Sequence, residues 1–179
     1  LLLCGSYDIA LSAAGKLQVE RLRLRLAREH RIDALYCSPL RRALETVRAA
    51  PESLLTRIHI APPLAEIDCG EIEGLPIASV RKLYPELWSA NEAQADEQFC
   101  WPGGETYAQF RQRVLEIMGR IAGEHSGGRV LVFTHAGVIN QLLGSITGQS
   151  PARWQNLRPR NASITCVTCL EDAWSIDRF

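Results

Sequence analysis

The sequence predicts an α/β protein with a three-layer α/β/α architecture around a mostly parallel central sheet. Short apolar runs typical of buried strands alternate with amphipathic helical stretches, as in parallel sheets covered by helices on both faces. A length of 179 residues and an apolar share of 46% suit one globular domain with a sizeable core. Because no repeat, low-complexity tract or linker divides residues 1–179, we predict a single domain.

Capping residues and apolar periodicity predict the N-terminal elements. Ser12 is a good N-cap for a helix that extends to about His30 and carries a broad apolar face. A strand follows over residues 34–37. Ser38-Pro39 is expected to begin the next helix, with the serine as cap and the proline at the first helical position, and this helix ends at about residue 50.

The rest of the chain continues the alternation. Thr106 and Gln109 have the spacing of a capping box at the start of a long helix. The predicted elements are, in chain order, a strand at 58–61, a polar loop at 66–74, a helix at 77–83, a partly helical stretch around Trp88 and Phe99, a turn at 101–104, a helix from Thr106 to about Ala122, a strand that ends before His135 with a helix after it, a short helix at Ser150-Pro151, and strands at 162–170 and 174–177.

The stretch from Arg129 to Ile139 is the most informative one. Its apolar run is too short for a helix and suits a buried parallel strand that ends at His135. Ligands of open α/β sheets bind beyond the carboxyl ends of the strands, so we expect His135 at a binding edge. The helix that begins near Ala136 presents free N–H groups and its positive dipole end to an anion such as phosphate. A loop histidine without a function is the other interpretation.

Two further stretches contain charged candidates. Arg41 and Arg42 lie in the first turn of a predicted helix, where one can bind a phosphate or carboxylate bidentately while the other faces solvent. Four acids lie between Leu64 and Gly74, and Glu66 is the one nearest to the strand end. A carboxyl group buried beside an anion has a raised pKa and can act as a general acid. Surface arginines and solvated loop acids are the alternatives.

Six stretches occur in an order that is more specific than any one of them. They are Gly5-x-Tyr7-Asp8-x-x-Leu11-Ser12-x-x-Gly15-x-x-Gln18, Ser38-Pro39-Leu40-x-Arg42-Ala43-x-x-Thr46, Leu64-x-Glu66-x-x-x-Gly70-x-x-Glu73-Gly74, Pro102-Gly103-Gly104-Glu105-Thr106, Thr134-His135-Ala136-Gly137-Val138 and Asn161-Ala162-Ser163. In this order they resemble the histidine phosphatase superfamily, which has the phosphoglycerate-mutase-like fold. The resemblance covers nearly the whole chain.

The resemblance implies a phosphatase that works through a phosphohistidine intermediate, without a metal or cofactor. Arg42 and His135 would bind the phosphoryl oxygens, and a phosphate dianion would favour a protonated His135. Glu66 would protonate the leaving oxygen and then activate water. The remaining candidates for contact with the phosphate or substrate are Cys4, Gly5 and Ala136.

The chain departs from the superfamily in one respect. The hallmark Arg-His-Gly motif, whose histidine is the nucleophile, does not occur in the 179 residues. His30 closes a predicted helix, His59 lies inside a strand and His125 precedes a loop, so none of them replaces it. The family spacing places the motif upstream of Leu1, on a central strand whose loss would leave unpaired sheet edges. Met118 is the only methionine, so we expect this first strand to be missing upstream. A natural truncation that binds phosphate without turnover is the alternative.

The segment between the acidic loop and the glycine turn is short, which resembles the small phosphatase branch that includes α-ribazole phosphatase. Phosphoglycerate mutases have longer insertions there, and mutase-type phosphotransfer is kept as an alternative. We expect a small phosphorylated metabolite as substrate. Trp88, Phe99 and Trp101 in this segment form either a lid over a ring-bearing substrate or part of the core.

Charge and cysteine content limit the partners and the location. The formal net charge of zero argues against binding to nucleic acid or to a membrane surface, and no apolar run is long enough to span a bilayer. The six scattered cysteines suit free thiols. We therefore expect a cytoplasmic protein that is a monomer or a homodimer.

Overall fold

The computed structural model describes residues 2–28, 31–153, 155, 157 and 159–179. In this part of the chain the strands are β1 (Ala34–Cys37), β2 (Ile58–Ile60), β3 (Val130–Phe133), β4 (Cys166–Leu170) and β5 (Ala173–Arg178). The α-helices are α1 (Ala13–Leu26), α2 (Arg41–Thr46), α3 (Glu52–Leu55), α4 (Ile77–Leu83), α5 (Pro85–Ala93), α6 (Tyr107–Glu124) and α7 (Ala136–Ile146). Short 3-10 helices cover Val47–Ala49, Pro62–Leu64, Gly70–Ile72 and Pro151–Arg153.

β1 is the centre of a parallel three-stranded sheet, with β2 on one side and β3 on the other. Leu35 of β1 pairs with Ile58 of β2 and with Leu131 of β3, and all four residues of β1 are buried. Parallel neighbours need long crossover connections, and here these connections contain the helices.

Alternate side chains of β1 enter two separate core clusters, because successive strand residues point to opposite faces of the sheet. Tyr36 belongs to a cluster with Phe110 and Val114 of α6. Leu35 belongs to a second cluster with Leu22 of α1. Helices therefore cover both faces of the sheet, which confirms the predicted α/β fold.

β4 and β5 form a separate antiparallel hairpin. The hairpin region and β3 nevertheless share both cores. Val132 and Val167 pack against the cluster of α6, whereas Leu131 and Ile164 pack against the cluster of α1. Within the described residues, β3 pairs only with β1 and has no ladder to β4 or β5.

Two predicted helix starts have the expected caps. Ser12 Oγ accepts the Gly15 N–H at 3.1 Å and caps α1, which ends at Leu26. The predicted end of this helix near His30 falls on a residue outside the described part of the chain. Thr106 and Gln109 form the predicted capping box at the start of α6, with both reciprocal hydrogen bonds present.

The predicted start of α2 at Ser38-Pro39 is wrong. The helix begins at Arg41, and its N-cap Leu40 makes no side-chain capping bond. The Ser38 hydroxyl lies 2.7 Å from Nε2 of His135. The predicted capping residue therefore contacts a histidine that is distant in sequence. The strand predicted from residue 162 also begins later, at Cys166.

The aromatic residues of the segment before α6 belong to the core. Phe99 and Trp101 are buried, with Trp101 only 4% exposed, and Phe99 stacks on Tyr107. Trp88 packs against the same cluster and contacts the Arg81 guanidinium, 4.6 Å from the ring centroid. The core interpretation is therefore confirmed for Phe99 and Trp101.

All six cysteines lie in the described part of the chain and are free thiols, as predicted. None of the described helices combines the length and apolar character needed to cross a membrane. Among the same residues, no group of three or more His, Cys, Asp or Glu side chains is placed to hold a metal ion.

Candidate active site

Ser38 and His135 meet where β1 and β3 end. The Ser38 N–H donates to the Phe133 carbonyl at 2.9 Å and so fixes Ser38 directly beside the end of β3. His135 is the N-cap of α7, is 8% exposed, and has its Nε2 2.7 Å from Ser38 Oγ. The predicted position of His135 at the carboxyl edge of the sheet is confirmed.

The Glu66 carboxylate lies against the first turn of α7. Its Oε2 accepts the Gly137 N–H at 2.9 Å, and its Oε1 accepts the N–H of Ile67 at 3.1 Å. Gly137 leaves no room for a side chain, since a Cβ there would collide with Glu66 Oε1 and lie 3.0 Å from the Phe110 ring. Glycine at this position therefore allows the carboxylate to reach the helix N-terminus.

Arg42, in the first turn of α2, holds the N-terminal loop with its guanidinium. Nη1 donates to the Tyr7 carbonyl at 2.9 Å and Nη2 to the Gly5 carbonyl at 2.6 Å. Arg41 is exposed and pairs instead with Glu45 at 2.9 Å. The two adjacent arginines thus point in different directions, as the helical spacing predicts.

Charge and burial set the protonation of this site. Burial, with Arg42 and Arg113 as further causes, lowers the pKa of His135 to about 3. Burial raises the pKa of Glu66, although two backbone N–H groups and the same two arginines act in the opposite direction. Arg42 thus acts electrostatically on both other predicted catalytic residues, and the structure brings all three together. Without a bound anion these surroundings favour the neutral imidazole, and the protonation of His135 beside a phosphate dianion stays a prediction.

Arg113 and Glu105 support the loop that carries Glu66, and no motif of the sequence points to Arg113. Its guanidinium donates to the carbonyls of Pro63 and Ala65, both at 2.8 Å, and to the Glu66 carbonyl at 3.0 Å. Nε also donates to the Glu105 carboxylate at 2.9 Å. Backbone carbonyls carry no sequence signal, so this contact was not predictable from a motif.

Glu73 holds the N-terminal loop by its backbone N–H groups, whereas Arg42 holds it by carbonyls. Its carboxylate accepts the backbone N–H groups of Gly5, Ser6 and Tyr7 at 2.7–3.0 Å, and that of Cys69 at 2.9 Å. Arg42 binds carbonyls of the same loop. Glu73 belongs to the acidic motif of the sequence, but the motif alone does not indicate these contacts with the N-terminal loop.

The remaining predicted contact residues are near the site by chain position. Gly5 participates through its backbone, and a Cβ there would collide with the Ile67 carbonyl and lie 2.6 Å from Glu73 Oε1. Cys4 is a half-buried free thiol, and Ala136 is the exposed first residue of α7. Their predicted contact with a phosphate or substrate stays a prediction.

Two other histidines lie elsewhere in the fold. His59 stacks on the Tyr36 ring at 4.8 Å, and His125 Nε2 is 3.0 Å from the Tyr36 hydroxyl. His135 is therefore the histidine that the described residues place beside Glu66 and Arg42.

Comparisons with known proteins point to one family. The model of the histidine phosphatase superfamily (branch 1) matches residues 2–179. The metal-independent phosphoserine phosphatase of Arabidopsis thaliana is 30% identical over 98% of this chain and 72% of its own length. Phosphoglycerate mutase-like protein 4 of the same plant is 32% identical over 77% of this chain and 60% of its own length.

A solved structure has the same architecture. The α-ribazole phosphatase of Shigella flexneri superposes with a TM-score of 0.85 at 23% identity, over 99% of this chain and 87% of that one. At this identity the likeness concerns the fold. The family match over the described chain, with a relative at 30% identity, assigns the chain to branch 1 of the histidine phosphatase superfamily and identifies it as a phosphatase.

Proposed function

We propose that this phosphatase hydrolyses small phosphomonoesters through a phosphohistidine intermediate, without a metal. The observation that carries the proposal is the meeting of Arg42, His135 and Glu66 at the carboxyl edge of the sheet. Donors preorganised around a transferring phosphoryl group are the main source of rate enhancement in such reactions. A carboxyl group whose pKa is raised by burial is suited to donate a proton.

In the first proposed step, a histidine nitrogen attacks phosphorus. The N–P bond forms while the ester P–O bond breaks, and the Glu66 carboxyl transfers its proton to the leaving oxygen. In the second step, the Glu66 carboxylate takes a proton from a water molecule, the water oxygen forms a bond to phosphorus while the N–P bond breaks, and inorganic phosphate leaves. Arg42 and His135 hold the phosphoryl oxygens in both steps.

We further propose that the nucleophile comes from an Arg-His-Gly strand beside β3. This motif does not occur in the 179 residues. β3 is paired on one side only within the described chain, although it shares both cores with the β4–β5 hairpin. A strand inserted there would satisfy the backbone groups of the open β3 edge.

For the substrate we propose α-ribazole 5′-phosphate or a similarly small phosphomonoester. The aromatic segment before α6 is packed into the core, so it adds no large domain over the site. We also propose that the enzyme is cytoplasmic and acts as a monomer or homodimer. A panel of α-ribazole 5′-phosphate, phosphoserine and 3-phosphoglycerate ranks the substrates by kcat/KM.

The test of the reaction is hydrolysis of p-nitrophenyl phosphate by the full-length protein in the presence of a metal chelator. We expect turnover and an acid-labile, base-stable phosphoenzyme after quenching with radiolabelled substrate. A reaction that needs added metal, or a phosphoenzyme stable in acid, would contradict the proposal.

Two other functions are alternatives. A phosphate-binding protein without turnover predicts that phosphate raises the Tm while p-nitrophenyl phosphate stays intact. The likeness to a phosphoglycerate mutase-like protein suits phosphoryl transfer to a second metabolite. That function predicts isomerisation of 3-phosphoglycerate faster than its hydrolysis.

A further inference from the structure

We propose that Ser38 is a positioning residue that holds neutral His135 in the tautomer with its proton on Nδ1. In this tautomer Nδ1–H can donate to an oxygen of a bound anion without prior protonation of the ring. The inference rests on the proposed function only for the identity of that anion as a phosphoryl group.

The geometry of Ser38 makes it a fixed partner for the ring. Ser38 is fully buried at 0% exposure, and its backbone is tied to β3 by the hydrogen bond to the Phe133 carbonyl. Its Oγ lies 2.7 Å from His135 Nε2, a short distance for a hydrogen bond between a hydroxyl and a ring nitrogen. No other hydrogen bond of the His135 ring is found among the described residues.

The hydroxyl proton favours Ser38 as the donor of this bond, because Nε2 of His135 is the acceptor that the described residues offer to it. A serine hydroxyl has one donor and two acceptor sites, and one acceptor site of Ser38 takes the Leu40 N–H at 3.3 Å. The hydroxyl proton is then free to point at Nε2. A neutral imidazole that accepts at Nε2 carries its own proton on Nδ1.

The surroundings of His135 make a neutral donor useful. The ring is buried, and the positive charges of Arg42 from α2 and Arg113 from α6 oppose its protonation, so its pKa falls to about 3. Burial raises the pKa of Glu66, which lies in the loop before α4, and so favours its uncharged form. Before an anion binds, these surroundings therefore favour the neutral ring, which can donate only from the nitrogen that carries its proton.

Ser38 also suits the ring after an anion has bound. If a dianion raises the pKa of His135 and a second proton binds at Nε2, this N–H can donate to the second acceptor site of Oγ. Nδ1–H remains directed away from Ser38 in both charge states. The serine therefore keeps the same nitrogen available to the ligand.

The direct test is the tautomer of His135 in the ligand-free protein, measured by long-range proton–nitrogen NMR on histidine-labelled protein near neutral pH. His135→Asn identifies the resonance. We expect Nδ1 to resonate as a protonated, pyrrole-type nitrogen and Nε2 as an unprotonated acceptor. A His135 with its proton on Nε2 would overturn the proposal, whether or not the protein turns out to be a phosphatase.

Removal of the hydroxyl tests the consequence. Ser38→Ala should shift His135 toward the Nε2–H tautomer and raise the Kd for inorganic phosphate about tenfold, as expected for one misdirected hydrogen bond. Ser38→Thr keeps the hydroxyl and should restore both readouts. Ser89→Ala removes an exposed hydroxyl that bonds only the Pro85 carbonyl, and should change neither.

The outcomes separate the inference from the proposed function. An unchanged tautomer and an unchanged phosphate Kd in Ser38→Ala would overturn the inference. The predicted tautomer in a protein without turnover would support the inference and contradict only the phosphatase reaction. Should Ser38→Ala fail to fold, the tautomer of the unmodified protein still decides the matter.

Discussion

Two carboxylates of the same acidic segment, Glu66 and Glu73, have different surroundings. Glu66 accepts two backbone N–H groups and lies where burial raises its pKa. Glu73 accepts four backbone N–H groups, three of them from the N-terminal loop, and also a hydroxyl of Ser6 at 3.2 Å. The contrast shows that two carboxylates of one segment can have different neighbours, and the proposed proton transfer belongs to Glu66, whereas Glu73 anchors backbone.

Arg42 connects these two acids. Its guanidinium binds carbonyls of the loop that Glu73 holds by its N–H groups, and its charge also acts on Glu66. We expect a change at Glu73 to reach the site through the position of Arg42, and a change at Glu66 to act directly on the proposed proton transfer. Substitutions of Glu66 and Glu73 should therefore have different effects on turnover and on stability.

The largest expected effect is that of Glu66→Gln on turnover. Because the amide cannot donate or accept the transferred proton, kcat should fall by about 100-fold to 10,000-fold, while the Kd for phosphate changes by less than about fivefold. Steady-state kinetics and phosphate titration measure both. Glu71→Gln, a neutralised exposed acid of the same segment, should leave kcat unchanged. Equal losses of phosphate affinity and of kcat in Glu66→Gln would contradict the proposed proton transfer by Glu66.

Glu73→Gln should act mainly on stability. The amide retains one acceptor oxygen and places an NH₂ group against N–H donors, so the free energy of unfolding should fall by about 1–3 kcal/mol. Urea unfolding of this variant and of Glu66→Gln gives the comparison. We expect the larger stability loss in Glu73→Gln and the larger kcat loss in Glu66→Gln. The reverse order would show that the two acids have been assigned to the wrong functions.

Gly137→Ala tests the space that Glu66 occupies. The added Cβ meets the Glu66 carboxylate and the Phe110 ring, so we expect a stability loss of about 1–3 kcal/mol together with a lower kcat. Gly119→Ala in α6 is the matched control, because nothing lies within 4 Å of its Cβ. That variant should gain up to about 1 kcal/mol from helix propensity. Wild-type turnover in Gly137→Ala would show that Glu66 does not need this position.

The smallest expected effect is a pH dependence of stability that belongs to Glu66. Its folded pKa is raised, so its stabilising contribution is present below the ordinary pKa and is lost as pH rises through the folded value. Glu66→Gln removes this loss. The unfolding free energy of the variant minus that of wild type should therefore rise as the pH increases above about 4.5. A difference that falls with pH would contradict the raised pKa.

Local interactions made much of the fold predictable. The capping box of Thr106 and Gln109 and the apolar run of β3 depend on residues close in sequence, and both occur as predicted. The charged candidates Arg42, Glu66 and His135 were identified from their positions after strands. Parallel strands bring such positions to one edge of a sheet, so their meeting follows from topology.

Contacts with distant backbone were decided only by the tertiary structure. Arg113 binds carbonyls about fifty residues away and Glu73 binds N–H groups of the N-terminal loop, and these backbone groups are chemically the same in nearly every residue. Ser38 has the sequence position of a helix cap, yet its hydroxyl meets a histidine 97 residues later. The sequence determined which groups are available for chemistry. Folding determined their protonation, because burial and neighbouring charge exist only in the packed site.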